Sequence, residues 1–499
     1  MSLSTRERPT EERDLGPDPR RFIVLAVVAI AQLMLVLDAS VVIVALPSAQ
    51  RTLHISIENR QWVVSAYTLA FGSLLLLGGR VADYLGRRRI FVIGLLGFVV
   101  ASAVGGLAQD SAMLFAARAL QGAFAALMAP AALSILTVTF TEPHERARAF
   151  GVYGGISGGG AAIGLILGGM LTQLASWRWT LLINVPIGLI AAMAAVRVIR
   201  ESRGQSGRGY DLSGAIAVTA GLFLLVYGFT MAGSHGWSAP TTVGLLVGSA
   251  LVLAIFVIIE LRAAHPLLPL RVVLDRNRGG AFLTSLLVGC AMLGTFLFLT
   301  YFFQGTLHYS ALKTGFAFLP FSAGIVIGAA LSSRLLTAVG PRPLMVVGLL
   351  LAGSGLAWFT RLTADSGYVA HVLPAVIVVS IGMGLTFVPM SSTALAGIDG
   401  KDAGVSSALV NATQQIGSSL GTALLNTVAA ASASAYLAVN AHHAGARLEA
   451  PVHGYTTGFT VSAALIFVAA AVTAVMIRTS ATSLRGPELV EVAELERAA

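Results

Sequence analysis

Apolar residues in this chain come in long unbroken runs separated by short polar loops. Fourteen such runs can be marked, at 22–46, 61–79, 90–108, 112–139, 147–174, 178–197, 212–232, 241–263, 279–304, 314–338, 343–362, 370–396, 402–435 and 455–478. Their lengths suit a helix that crosses a bilayer, which needs about 20 residues. Backbone groups in lipid must be satisfied within the segment, so each run predicts a helix. The runs are continuous rather than alternating, which argues against a membrane barrel. Those at 147–174 and 402–435 are rich in Gly and Ala, and predict close helix packing.

Composition agrees. The chain is 56% hydrophobic and 11% charged, with mean hydropathy +0.82. Soluble chains carry about 25% charged residues, so bilayer is the expected solvent and the fold class is an all-α, polytopic membrane protein. Cys290 is the single cysteine, so no disulfide within the chain is possible. The net charge of +9 does not imply a nucleic-acid partner, because the basic residues form no patch. The first 21 residues are polar and Arg-rich, and the apolar run after them is too long for a signal core.

The basic residues instead divide by side. With the N-terminus placed in the cytoplasm, cytoplasmic segments hold 25 Lys and Arg, the opposite loops hold 6, and Arg118 lies inside a run. This asymmetry predicts a plasma-membrane protein with both termini cytoplasmic. The runs group as six, two and six. The expected organisation is a tail at 1–21, a six-helix bundle at 22–197, linkers with two extra helices at 198–278, a second bundle at 279–478 and a tail at 479–499. Polar Arg200–Gly209 ends the first six, and a stretch containing Pro266 and Pro269 opens the last six. A faint repeat relates Gly79–Arg89 to Ser333–Pro343, aligning Arg80 with Arg334, Gly86 with Gly340 and Arg88 with Arg342.

Gly79, Asp83, Gly86, Arg87 and Arg88, between the second and third runs, resemble the loop signature of the major facilitator superfamily. The resemblance implies two six-helix bundles, and a gate in which Asp83 faces the N-terminus of the helix opening near Asp402-Ala403. Tyr84 stands where the family often has a second basic residue. Leu37–Pro47 resembles the first-helix motif of the fourteen-helix drug:proton antiporters, with Ser40 and Ile43 where Thr and Asn are usual. Arg118–Gly122 resembles their fourth-helix motif. Gly160, Gly164, Gly168 and Gly169 resemble their fifth-helix motif, with Leu165 in place of Pro. Trp177–Trp179, Asn184–Gly188, Gln304–Pro320 and Ala403–Gly421 look like the same branch, so the resemblance runs from about 22 to 478.

A carboxylate inside a membrane segment is costly and marks a functional candidate. Asp38 is such a group. The resemblance implies proton coupling by Asp38 and Arg118; Arg keeps its proton at ordinary pH, so Arg118 acts electrostatically. Candidate polar residues of a substrate cavity are Gln32, Gln121, Asn184, Tyr301, Gln304, Asn411, Gln414 and Gln415. No Walker motif is present and the histidines show no HExxH spacing, so no cofactor and no metal are expected. His442-His443 reads as polar loop, and Glu488–Glu496 as a short amphipathic helix or a disordered cytoplasmic tail.

The expected function is a secondary active transporter that exports an amphipathic drug, antibiotic or toxic metabolite. It exchanges this for protons by alternating access, with the proton gradient as energy source. A proton-coupled importer or a lipid flippase on the same fold stays open as an alternative. A sensor or membrane enzyme is disfavoured, for no large soluble domain and no catalytic constellation is seen. The expected partners are the small-molecule substrate, protons and lipid, with the chain working as a monomer.

Overall fold

A computed structural model describes residues 20–56, 59–203, 211–263, 270–395, 403–443 and 445–478. Each of the fourteen apolar runs contains a helix. They are α1 (Arg21–Thr52), α2 (Trp62–Leu85), α3 (Arg87–Gly106), α4 (Ser111–Thr139), α5 (Pro143–Leu174) and α6 (Trp179–Val198). An adjoining pair follows, α7 (Leu212–His235) and α8 (Pro240–Arg262). The last six are α9 (Arg276–Thr306), α10 (Ala311–Leu336), α11 (Pro341–Phe359), α12 (Tyr368–Ala394), α13 (Ala403–Val439) and α14 (Ala446–Met476). Among the described residues, 12 of these are long and apolar enough to cross a membrane. The helix α2, bent by 55° between Trp62–Leu75 and Leu77–Leu85, makes a thirteenth. In α5 only Ile163–Leu174 forms an apolar helix by the same measure.

Side chains from the loops set many helix ends. Asp110 accepts from the Met113 N–H at 2.8 Å to open α4. Asp211 does the same for Gly214 in α7, at 2.7 Å. Asp275 and Ser310 cap α9 and α10. Such caps satisfy N–H groups that the helix leaves unpaired. Gly86 and Gly340, aligned in the faint repeat, both end a helix at positive φ, +113° and +86°. Only glycine adopts that conformation without cost. One boundary differs clearly from the sequence reading. The last helix starts at Ala446 rather than 455, running through Pro451, with Glu449 in its first turn. A carboxylate there suits the positive end of the helix dipole.

The contacts reveal a duplication that the sequence shows only faintly. In the first half α1 packs on α5 and α6, α2 on α4, and α3 on α4 and α6. In the second half α9 packs on α13 and α14, α10 on α12, and α11 on α12 and α14. Each pair in the first half becomes its counterpart when eight is added to both labels. The seams between halves are exchanged when each helix is swapped for its counterpart, for α2 meets α13 and α10 meets α5. The pair α7 and α8 packs together, with α7 touching α2 and α13 on the outside of that seam. Most of α8 faces away from the protein, with only 17% of its apolar window buried.

Candidate functional site

Asp38 lies midway along α1 and Arg118 two turns into α4. The packing of α1, α2, α4 and α6 brings both to the protein interior, where their side chains are 0% and 1% exposed. Arg118 Nη1 donates to Asp38 Oδ2 at 2.6 Å and to Gln121 Oε1 at 2.8 Å. Its Nε donates to the Val63 carbonyl at 2.9 Å. The other oxygen, Asp38 Oδ1, accepts from Gln121 Nε2 at 2.9 Å and from Asn184 Nδ2 at 2.8 Å. Gln121 Nε2 also donates to Ser102 Oγ at 2.8 Å. The Tyr67 ring lies 4.5 Å from the guanidinium, offering its electron-rich face. A buried ion pair is tolerated only when further hydrogen bonds satisfy both ions. Here both carboxylate oxygens are engaged.

A cavity of about 300 Å³ lies beside this network, between the halves. Arg118 and Tyr67 reach its wall, while Asp38 sits behind them. Of the residues expected from sequence, Gln32, Asn411, Gln414 and Gln415 line it. Gln121 and Asn184 do not; their amides are buried against Asp38. Tyr301 and Gln304 do not line it either. Tyr301 lies under the Arg60 guanidinium, 3.8 Å from the ring centroid, and Gln304 Nε2 donates to the Val44 carbonyl at 2.9 Å. Sequence reasoning missed Tyr67, Thr68, Tyr153 and Ser418 in the wall. A signal existed for α2. Val64, Tyr67, Thr68, Phe71 and Leu75 recur at helical spacing and form one face. No described residue of α7 or α8 lines the cavity.

The loops rich in Lys and Arg define a basic side of the molecule. There, Asp83 pairs with Arg87 one turn later, Oδ1 to Nη2 at 2.9 Å. The expected partner near Asp402 lies outside the described residues. Glu201 accepts from the Arg88 and Arg89 N–H groups, each at 3.1 Å, and so caps α3. From the sequence alone that stretch reads only as a polar, basic linker. Gly79 packs against Pro130 of α4.

Toward the opposite side the halves are joined tightly. Gln304 reaches Val44, Asn426 Nδ2 donates to Gln61 Oε1 at 2.9 Å, and Gln173 Oε1 accepts from the Leu312 N–H at 3.2 Å. Nearer mid-membrane the Thr68 and Ser419 hydroxyls bond at 2.7 Å. The fifth-helix glycines divide their roles. Gly160, Gly164 and Gly168 lie against α1, and Gly169 lies against the start of α10. A Cβ on Gly169 would sit 2.5 Å from the Ala311 carbonyl oxygen, and one on Gly315 2.5 Å from that of Leu165. Each backbone therefore needs glycine on the other. Among the described residues no group of three His, Cys, Asp or Glu can hold a metal ion.

Comparison with known proteins accords with this architecture. The family model described as Major Facilitator Superfamily matches residues 28–422. The puromycin resistance protein pur8 of Streptomyces alboniger is 48% identical over 476 residues, 94% of each chain. The cephamycin export protein CmcT of Amycolatopsis lactamdurans is 40% identical, over 84% of this chain and 87% of that one. The tetracenomycin C resistance and export protein of Streptomyces glaucescens is 33% identical, over 86% and 80%. In fold, the chain is similar to an inward-facing, unoccupied bacterial homolog of the human lysosomal transporter Spinster. The TM-score is 0.65 at 18% identity, over 95% of this chain and all of that one. Two like halves around a central cavity, a match to the family model over most of the length and three export or resistance relatives agree: this chain belongs to the Major Facilitator Superfamily, as a multi-pass membrane transporter and not an enzyme.

Proposed function

We propose that the chain exports an amphipathic drug, antibiotic or toxic metabolite from the cell in exchange for protons. The observation that carries this reading is the buried Asp38–Arg118 pair, whose arginine reaches the wall of a cavity lined by both halves. The names of the relatives, two of which include export and two resistance, support the direction and the kind of cargo.

Arg118 keeps its proton, so Asp38 carries the exchanged one. With the pair closed, Asp38 is an anion held by three donors. Water that reaches Arg118 from the cavity competes for its N–H groups and loosens the pair. The carboxylate then takes a proton, because an isolated buried anion is costly. Arg118 keeps its bonds to Val63 and Gln121 meanwhile. No cofactor is needed; the proton gradient supplies the energy.

The basic side is the cytoplasmic side, and both termini lie there. The helix α5 is the fourteenth crossing, the membrane is the plasma membrane, and one chain suffices. The tight seams on the opposite side support an inward-open state, and their reciprocal pairing suits two halves that rock about the cavity. Asp83 contributes to closing the cytoplasmic side.

Everted vesicles test the reading. An acid interior should drive accumulation of a relative's antibiotic, such as puromycin or tetracenomycin C, with protons leaving as cargo enters. Asp38→Asn should abolish the accumulation and leave binding intact. Accumulation in right-side-out vesicles under an inward proton gradient would mark an importer instead.

A further inference from the structure

The walls of the cavity go beyond the export reading to a class of cargo, and this inference rests on that reading. We infer that the site takes uncharged amphiphiles with hydrogen-bonding groups and rejects permanent cations.

Among the described residues that line the cavity, Arg118 alone carries a charge. That charge is matched by Asp38, which is fully buried and does not reach the wall. Among the described residues no carboxylate faces the space. A cation that enters loses its water and finds no counter-ion, while the nearest ion is another cation. An anion fares differently but no better. With Asp38 ionised, the Arg118 charge is already satisfied. With Asp38 protonated, that charge is uncovered, so an anion would bind best together with the proton. Such linkage moves cargo and proton together and opposes exchange.

Neutral cargo escapes both conflicts, and the wall is equipped for it. Asn411, Gln414, Gln415 and Ser418 lie on α13 at helical spacing, so they form one polar stripe. All four are exposed or half-buried rather than sealed in the core. An amide both donates and accepts, so the stripe suits hydroxyl, carbonyl and amide groups without demanding one. Leu35, Phe71 and Phe296 line the same space and suit the apolar part of an amphiphile. The stripe belongs to the half that lacks the ion pair. The amide stripe and the proton-binding pair therefore lie on different halves, and the first half also supplies Gln32, Tyr67 and Thr68 to the wall.

Matched pairs of probes test this on the purified full-length protein in detergent. One member is an uncharged dihydroxyanthraquinone, and the other is the same ring system with a trimethylammonium group. Further pairs on other ring systems guard against a misfit of shape. Fluorescence titration should show the neutral members binding at least about tenfold more tightly. Gln415→Glu and Gln414→Glu should each narrow or reverse that ratio, while Gln415→Met should weaken the neutral members only. Equal or tighter binding of the ammonium probes by the unaltered protein, or binding of no neutral probe, overturns the inference. Binding in detergent does not depend on transport. Neutral binding without proton-driven movement in vesicles would sink the export reading and leave the inference standing.

Discussion

The two halves share one architecture and differ in chemistry. The pairings of α1 to α6 recur in α9 to α14, yet among the described residues the buried ion pair occurs only in the first. The second-half counterparts of α1 and α4 are α9 and α12. Beyond Arg278 in α9, and throughout α12, they contain no Asp, Glu, Lys or Arg. The described acids within the second-half bundle, Asp365 and Glu449, lie in a loop and at a helix start on the opposite side, where Tyr436 donates to Glu449 at 2.6 Å. Duplicating a fold requires only apolar faces and small residues at crossings. Duplicating a buried charge pair requires a second full set of donors to offset desolvation. The first half meets that cost once, and the second half presents Asn411, Gln414 and Gln415 to the cavity.

The comparison can be broken most directly at the pair itself. Arg118→Leu should lower stability by about 3–5 kcal/mol, since it strands a buried carboxylate. Adding Asp38→Asn to it should recover much of the loss. Denaturation of the purified variants checks this. Similar losses for the single and the double variant would deny that the pair is a unit. The same swap has no counterpart in the second half, where Ser380→Ala in α12 should change stability by under about 1 kcal/mol.

The seam between halves comes next. Gly169→Val puts a side chain against the Ala311 carbonyl, and Gly315→Val does the reciprocal injury. Both should loosen the opposite side and raise labelling there several-fold, read at a cysteine placed at Leu312. Cys290 is buried and leaves the background low. Labelling that rose in one variant alone would show that the two glycines do not share a seam. A smaller effect is expected at Asp83, whose pair with Arg87 is partly exposed and contributes no more than about 1 kcal/mol. Asp83→Asn should leave thermal stability nearly unchanged and reduce transport several-fold. Equal transport at equal expression would remove it from the gate.

The smallest effect distinguishes how the halves cap their helices. Burial pushes the Asp275 carboxyl up, but N–H bonds from Arg278 and Asn277 and the Arg278 guanidinium together hold it below its usual range. A carboxyl lowered by folding stabilises the fold above its unfolded value, near 3.9. That contribution fades as pH falls through the folded value. Asp275→Ala should therefore cost about 1 kcal/mol at neutral pH. The gap to the unaltered protein should shrink only in acid below about pH 4. A gap constant down to acid would mean that the carboxylate charge contributes nothing to the cap.

Asp38 and Arg118 stood out in the sequence because a charge within an apolar run is expensive wherever it lands. The helices stood out for the same reason, since lipid forces each apolar run to satisfy its own backbone. Neutral polar residues were less legible. Gln121 and Asn184 looked like cavity lining, and the structure uses them as ligands of the Asp38 carboxylate. Glu201 looked like linker, and caps α3 from 112 and 113 residues away in the chain. An amide or a capping carboxylate is useful wherever a partner is present, so its role depends on which helix packs beside it. Only the tertiary structure brings α6 to α1 and the Glu201 segment to the start of α3. The solvent, by penalising bare charge and bare backbone, wrote the helices and the ion pair into the sequence. Which polar groups meet within and between the two like halves was decided by packing, because distance in the chain carries no information about it.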